Sequence, residues 1–181
     1  MKKLVDGVIV DMSPEEIAAW EAEQPDAAAL LAQIKAAAHV EIDAAAGETR
    51  AQALTCVPGQ ELTYVRKEDQ AKAYLALVAA EGTPVDSDYP LLQASIGADA
   101  FPAGHPNAGQ LVSSVAEVAE VVALTSAAWT AMGAQIEHVR LRGKRLVTLA
   151  EDQAEVDAIR AWCQTAYTAA LAGESLPAEP E

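Results

Sequence analysis

Four cations crowd into the run RLRGKR, where Arg140, Arg142, Lys144 and Arg145 hold a third of the 12 Lys and Arg residues of the chain. Guanidinium groups grip carboxylates and phosphates through paired N–H donors, so this run is a candidate docking patch for an acidic surface or a phosphate. The plainer reading is pairing within the chain, with carboxylates such as Glu137 and Glu151. Asp86 and Asp88 set two carboxylates in a short linker, an arrangement that suits a cation but more commonly caps a helix. Cys56 and Cys163, with His39, His105 and His138, have none of the spacings of a zinc site, and a buried free thiol is the ordinary reading of each cysteine. The sequence has no Gly-rich phosphate loop, nucleophile elbow, paired-histidine helix or calcium loop. Catalytic, cofactor-binding and metal-binding residues are therefore all expected to be absent. Trp20, Trp129 and Trp162 suggest a ligand box only weakly, because Trp129 falls inside an apolar repeat that packing explains. Tyr64, Lys67 and Tyr74 share one predicted helix, where they either finish a corner or face a partner.

The elements that must position these groups are nearly all helical. Residues 2–10, KKLVDGVIV, read as two short strands around Asp6-Gly7, a dipeptide that favours a type I′ hairpin turn. Ser13-Pro14-Glu15-Glu16 then opens a helix, with Ser13 as cap, Pro14 at the first turn and Glu16 placed for a capping box. A second helix begins after Pro25-Asp26 and carries Leu31, Ile34, Ala38, Ile42 and Ala45 on one stripe, with Gly47 interrupting it without ending it. Val57-Pro58-Gly59-Gln60 reads as a turn, and Glu61 to about Ala80 as a helix stopped by Gly82 and Pro84. Asp86-Ser87-Asp88 is expected to cap a short segment around residues 90–96. Residues 97–109, GADAFPAGHPNAG, form a loop.

The strongest pattern is a seven-residue rhythm. Val115, Val122, Trp129, Ile136, Gly143 and Ala150 make one series; Val118, Thr125, Met132, Val139 and Leu146 make a second, three residues on. That spacing predicts a coiled-coil seam or the spine of a helix bundle, on one helix over 111–150 about 60 Å long. Gly143 lies at an inward position, where it permits either a close helix approach or a bend. Residues 151–171 repeat the pattern through Val156, Ile159, Trp162 or Cys163, and Ala166, and Gly173 ends them. The fold class is mainly α: a small N-terminal β-hairpin, then helices, with a long C-terminal heptad helix in a bundle or coiled coil. The expected organisation is 1–24 hairpin and short helix, 25–96 helical with a Pro-Gly corner, 97–109 loop, 110–173 long helix and C-terminal helix, and 174–181 acidic tail.

Composition narrows the function classes. A net charge of -15, from 12 Lys and Arg against 27 Asp and Glu, opposes general nucleic-acid binding and adsorption to anionic membranes. No apolar run approaches the roughly 20 residues that span a bilayer, and the N-terminus does not read as a signal peptide. Much of the hydrophobic content is alanine, which favours helix but buries little area per residue. A thin core of this kind is completed by packing on another copy or a partner.

Three segments resemble those of small proteins from tailed-phage and prophage tail modules: LVDGVIVDMSPEEIAAWEAE, LTCVPGQELTYVRKEDQAKAY and WTAMGAQIEHVRLRGKRLV. The resemblance covers about two thirds of the chain and includes no catalytic signature. It implies a non-enzymatic tail-fibre, baseplate or related virion component, made in the host cytoplasm and retained in the virion tail. Its implied partners are other phage tail proteins and copies of itself, with neither nucleic acid nor membrane. The expected interface is the seam Val115, Val118, Val122, Trp129, Met132, Ile136, Val139 and Leu146. Two rivals remain: a tail-fibre assembly chaperone that leaves before the particle is finished, and a small helical enzyme or ligand-binding protein around Tyr64, His138 and Arg140.

Overall fold

The computed structural model describes residues 1–5, 8–23, 26–53 and 60–180. The Asp6-Gly7 turn, Pro25, Cys56 and the Pro58-Gly59 corner lie outside the described residues. Strands β1 (Lys2–Val5) and β2 (Val8–Asp11) pair antiparallel, with Lys2 opposite Asp11 and Leu4 opposite Ile9. Helices α1 (Pro14–Glu23), α2 (Ala27–Ala53) and α3 (Glu61–Ala79) follow. A 3-10 turn at Asp86–Asp88 leads into the single-turn α4 (Pro90–Gln93), and then come α5 (Val115–Leu149) and α6 (Gln153–Ala172).

Helix starts follow local side-chain chemistry. Ser13 Oγ accepts from Glu16 N at 3.3 Å and the Glu16 carboxylate accepts from Ser13 N at 3.0 Å, closing the predicted capping box. Glu16 also pairs with Lys3, which ties the hairpin to α1. Ser114 caps α5 and Asp152 caps α6 by the same device. The stops are equally local. At the end of α3, Gly82 N donates to Leu77 O and Glu81 N to Val78 O, a Schellman closure with Glu81 in the left-handed position at φ 58°. Gly173, at φ 70°, closes α6 in the same way.

One helix organises the body. α5 is unbroken for 35 residues, about 52 Å at 1.5 Å per residue. α2 and α3 lie end to end beside it, both antiparallel: Lys35 reaches Thr148 O, Arg50 meets Glu137, Tyr64 meets Trp129, and Glu68 accepts from Ser126. α6 returns along the C-terminal half of α5. The chain therefore has two apolar clusters. The first joins Val118 and Val121 of α5 to Ala71 and Tyr74 of α3, Leu92 of α4, and Phe101 and Val112. The second joins Ile136, Val139 and Val147 of α5 to Ala38 and Ile42 of α2 and to Val156, Trp162, Ala166 and Tyr167 of α6. The hairpin and α1 make no extensive contact with this body among the described residues.

Several expectations change. α5 begins at Val115 rather than Leu111, because Leu111 bridges back to Ala100 and Ser114 has extended backbone as the cap. Neither Asp86 nor Asp88 accepts a capping hydrogen bond from α4; Tyr89 is its N-cap residue, and the Leu91 N–H donates to Gln70 Oε1 of α3 at 2.9 Å. Residues 97–112 form an ordered loop, with Phe101 N donating to Gln110 O and Val112 N to Asp99 O. By length and composition alone α5 is apolar enough to cross a membrane, because no charged residue lies between Glu120 and Glu137; in this fold its apolar stripe enters both clusters.

Candidate functional site

The seam is covered largely within the chain. Val115, Val118, Ile136 and Val139 are buried, while Val122, Met132 and Leu146 are half-buried under α2, α3 and α6. Trp129 is the exception, at 37% exposure. It lies three residues from the midpoint of α5, between the two clusters, where its edge meets the Tyr64 ring at 6.1 Å and 74°. Tyr64 is 41% exposed, and Leu62, Val65 and Leu124 are exposed on the same two helices. Edge-to-face aromatic pairs are favourable beyond their buried area, so these rings hold each other in position while exposing apolar surface. Tyr74, ten residues further along α3, is instead buried and packs edge-on against Tyr89 at 5.1 Å.

The basic run lies on the C-terminal half of α5, and most of it is engaged. Arg140 pairs with Glu137 at 2.6 Å and Asp43 at 2.9 Å, Lys144 with Asp43 at 2.6 Å, and Arg142 with Glu179 at 2.7 Å. Arg145 is exposed and has no ion pair among the described residues. Asp43 and Glu137 thus clamp α2 to α5. Hydrogen bonding from Arg140, aided by Arg50 and opposed by burial, holds the Glu137 carboxyl down from its usual 4.5 to about 2. A carboxylate depressed in the fold contributes stability above its unfolded value and loses it as the pH falls through the folded one. Chemical denaturation at stepped pH should therefore show loss of stability between about pH 4.5 and 2, with a shallower fall for Glu137→Gln. An equal fall in both proteins would remove Glu137 from this role.

The remaining candidates are dispersed. Cys163 is a free, buried thiol pushed up to about 11 by burial, which makes it a poor nucleophile at neutral pH. His105 stacks on Phe101 at 4.4 Å; its Nδ1 accepts from Asn107 N, which leaves Nε2–H to face Glu120 at 3.2 Å in the neutral ring. Lys67, on α3, reaches Asp99 at 2.5 Å and fixes the loop to the body. His138 is exposed on α5, and Trp162 is buried in α6. Among the described residues, Tyr64, His138 and Arg140 line no common cavity. Among the described residues no group of three or more His, Cys, Asp or Glu could hold a metal ion. The sequence reading missed Tyr167, whose hydroxyl donates to Ile42 O at 3.3 Å inside the second cluster. It also missed Glu179, because a tail residue has no local signal for a partner 37 positions away. The chain matches no protein-family model, no curated protein and no solved structure.

Proposed function

We propose that this protein is a non-enzymatic assembly component, a structural part of a phage tail fibre, baseplate or related virion element, that joins copies of itself through the waist of its long helix. The observation that carries the reading is the exposed, edge-to-face Tyr64–Trp129 pair near the midpoint of α5. Exposed aromatic side chains held in position in this way are frequent anchors of protein interfaces. A patch near the midpoint of a rod suits a two-fold axis, since two antiparallel copies then present the same residues to each other. The hairpin supports the same role. Its Leu4 and Ile9, opposite each other, are 71% and 68% exposed, and the edges of a two-stranded sheet are where a further strand can pair.

Light scattering of the purified chain tests the self-assembly. The expected mass is two or more copies of 18.9 kDa, returning to one copy in Trp129→Glu with unchanged helix content. Removing an aromatic anchor of this type costs about 2–4 kcal/mol of association. One-copy mass for the natural chain at every concentration would reject the waist as a self-interface. Mass spectrometry of purified particles tests the virion role: stoichiometric presence supports it, and absence favours the departing chaperone.

A further inference from the structure

The C-terminal segment 174–180 runs back, without helix, over the groove between α5 and α6. Its burial has a period of three: Leu176 and Pro177 are half-buried, as are Glu179 and Pro180, while Ser175 and Ala178 are exposed. Three residues per turn is the period of a polyproline II strand, and prolines three apart, Pro177 and Pro180, favour that form before any contact is made.

Each inward position meets a specific receiver. Leu176 packs on the second core cluster. The Trp162 indole N–H donates to Pro177 O at 3.2 Å. Arg142 Nε donates to both Glu179 carboxylate oxygens, at 2.7 and 2.8 Å. Pro180 reaches an open cavity of about 480 Å³ floored by Leu146, Leu149 and Ile159. At the other end Gln135 Nε2 lies 3.5 Å from Glu174 O.

We propose that this groove is a peptide-binding site for an extended, acidic, proline-containing segment of a partner protein, of the pattern Leu-Pro-x-Glu-Pro, and that the chain's own tail occupies it until such a segment displaces it. The receivers belong to the helices and not to the tail. Trp162 belongs to the second core cluster, so the helix packing holds its ring with the N–H facing the groove. The indole N–H is a donor only, so it selects a carbonyl or other acceptor at that spot. Arg142 selects an acidic residue two positions on, because the two oxygens of a carboxylate both accept from its guanidinium. The tail is held by these side-chain contacts and by no strand ladder. A tethered tail competes at an effective concentration of about millimolar, so a partner must bind more tightly or be presented in many copies. The site lies on the C-terminal half of α5 and does not depend on the waist.

The test uses a fluorescent peptide, ESLPAEPE, titrated into the full chain and into full-length Leu176→Asp, whose tail no longer docks. The peptide is expected to bind Leu176→Asp at least tenfold more tightly than the natural chain and to shift the indole N–H signal of Trp162. Adding Arg142→Glu is expected to weaken that binding at least tenfold, with recovery for the charge-reversed peptide ESLPAKPK. Glu179→Gln, which removes only the ion pair, gives a second tail-weakened protein should Leu176→Asp unfold. Equal affinity for natural and tail-weakened chains, or no binding to a folded tail-weakened chain, overturns the proposal. A concentration-dependent doubling of mass that Leu176→Asp abolishes also overturns it, because the groove then serves exchange of tails between two copies.

Discussion

Gly143→Ala is expected to destabilise the fold by about 1–3 kcal/mol, although alanine is the better helix former. A Cβ at this position would stand 2.5 Å from Cys163 Sγ and 3.4 Å from Ile42 Cδ1. Here α2, α5 and α6 converge, so the Cys163 side chain must shift to admit the added methyl group. Gly133, ten residues earlier on the same helix, meets nothing within 4 Å of an added Cβ. The same substitution there should stabilise by about 0.5–1 kcal/mol, because only the backbone entropy of glycine is removed. Opposite signs on one helix separate packing from propensity. Cys163→Ala removes the obstructing sulfur, so the double variant should regain part of the loss, with a coupling of about 0.5–3 kcal/mol in a double-mutant cycle. Chemical denaturation of the four proteins measures it. A stabilising Gly143→Ala would mean that the three helices stand further apart than described.

Ala128→Pro is expected to cost about 3 kcal/mol or more and to uncouple the two halves of the protein. Ala128 is exposed and belongs to neither cluster, so the substitution adds no core defect. It removes one backbone N–H from the α5 ladder and sets the proline ring against the carbonyl four residues back. The first cluster lies before the break, with Val115, Val118 and Val121; the second lies after it, with Ile136, Val139 and Val147. A continuous helix between them transmits order from one to the other. Thermal unfolding should change from one transition to two, with Trp162 reporting the second cluster. Ala128→Gly should cost only about 1 kcal/mol and keep one transition. If Ala128→Pro melts like the natural chain, the waist is already a break.

The rod was legible because its signal is repetitive. A seven-residue rhythm from Val115 to Ala150 leaves little choice but one helix, and Ser13-x-x-Glu16 marks a helix start through bonds that close within four residues. What covers the rod was not legible. Valine and isoleucine at seam positions look alike whether another copy or an antiparallel helix of the same chain lies on them. Only the register of pairs such as Arg50–Glu137 and Asp43–Arg140, 87 and 97 positions apart, distinguishes the two. Gly143 remained ambiguous for the same reason, since the sulfur that excludes a side chain lies on α6. Asp86 and Asp88 carried a correct local preference for turns, but Gln70 of α3 capped the helix they preceded. The waist was half legible: Trp129 was placed on the seam, and its exposure follows from two clusters that end on either side of it.

All of these features depend on α5 being one straight element across both clusters. Spin labels at Ala116 and Leu149, both exposed and 33 positions apart, with Cys56 and Cys163 replaced by alanine, test that by pulsed electron resonance. An unbroken helix predicts a single narrow distance distribution centred near 50 Å. A broad distribution, or one centred well below about 40 Å, would mean that the helix bends or breaks at its waist and would contradict the account.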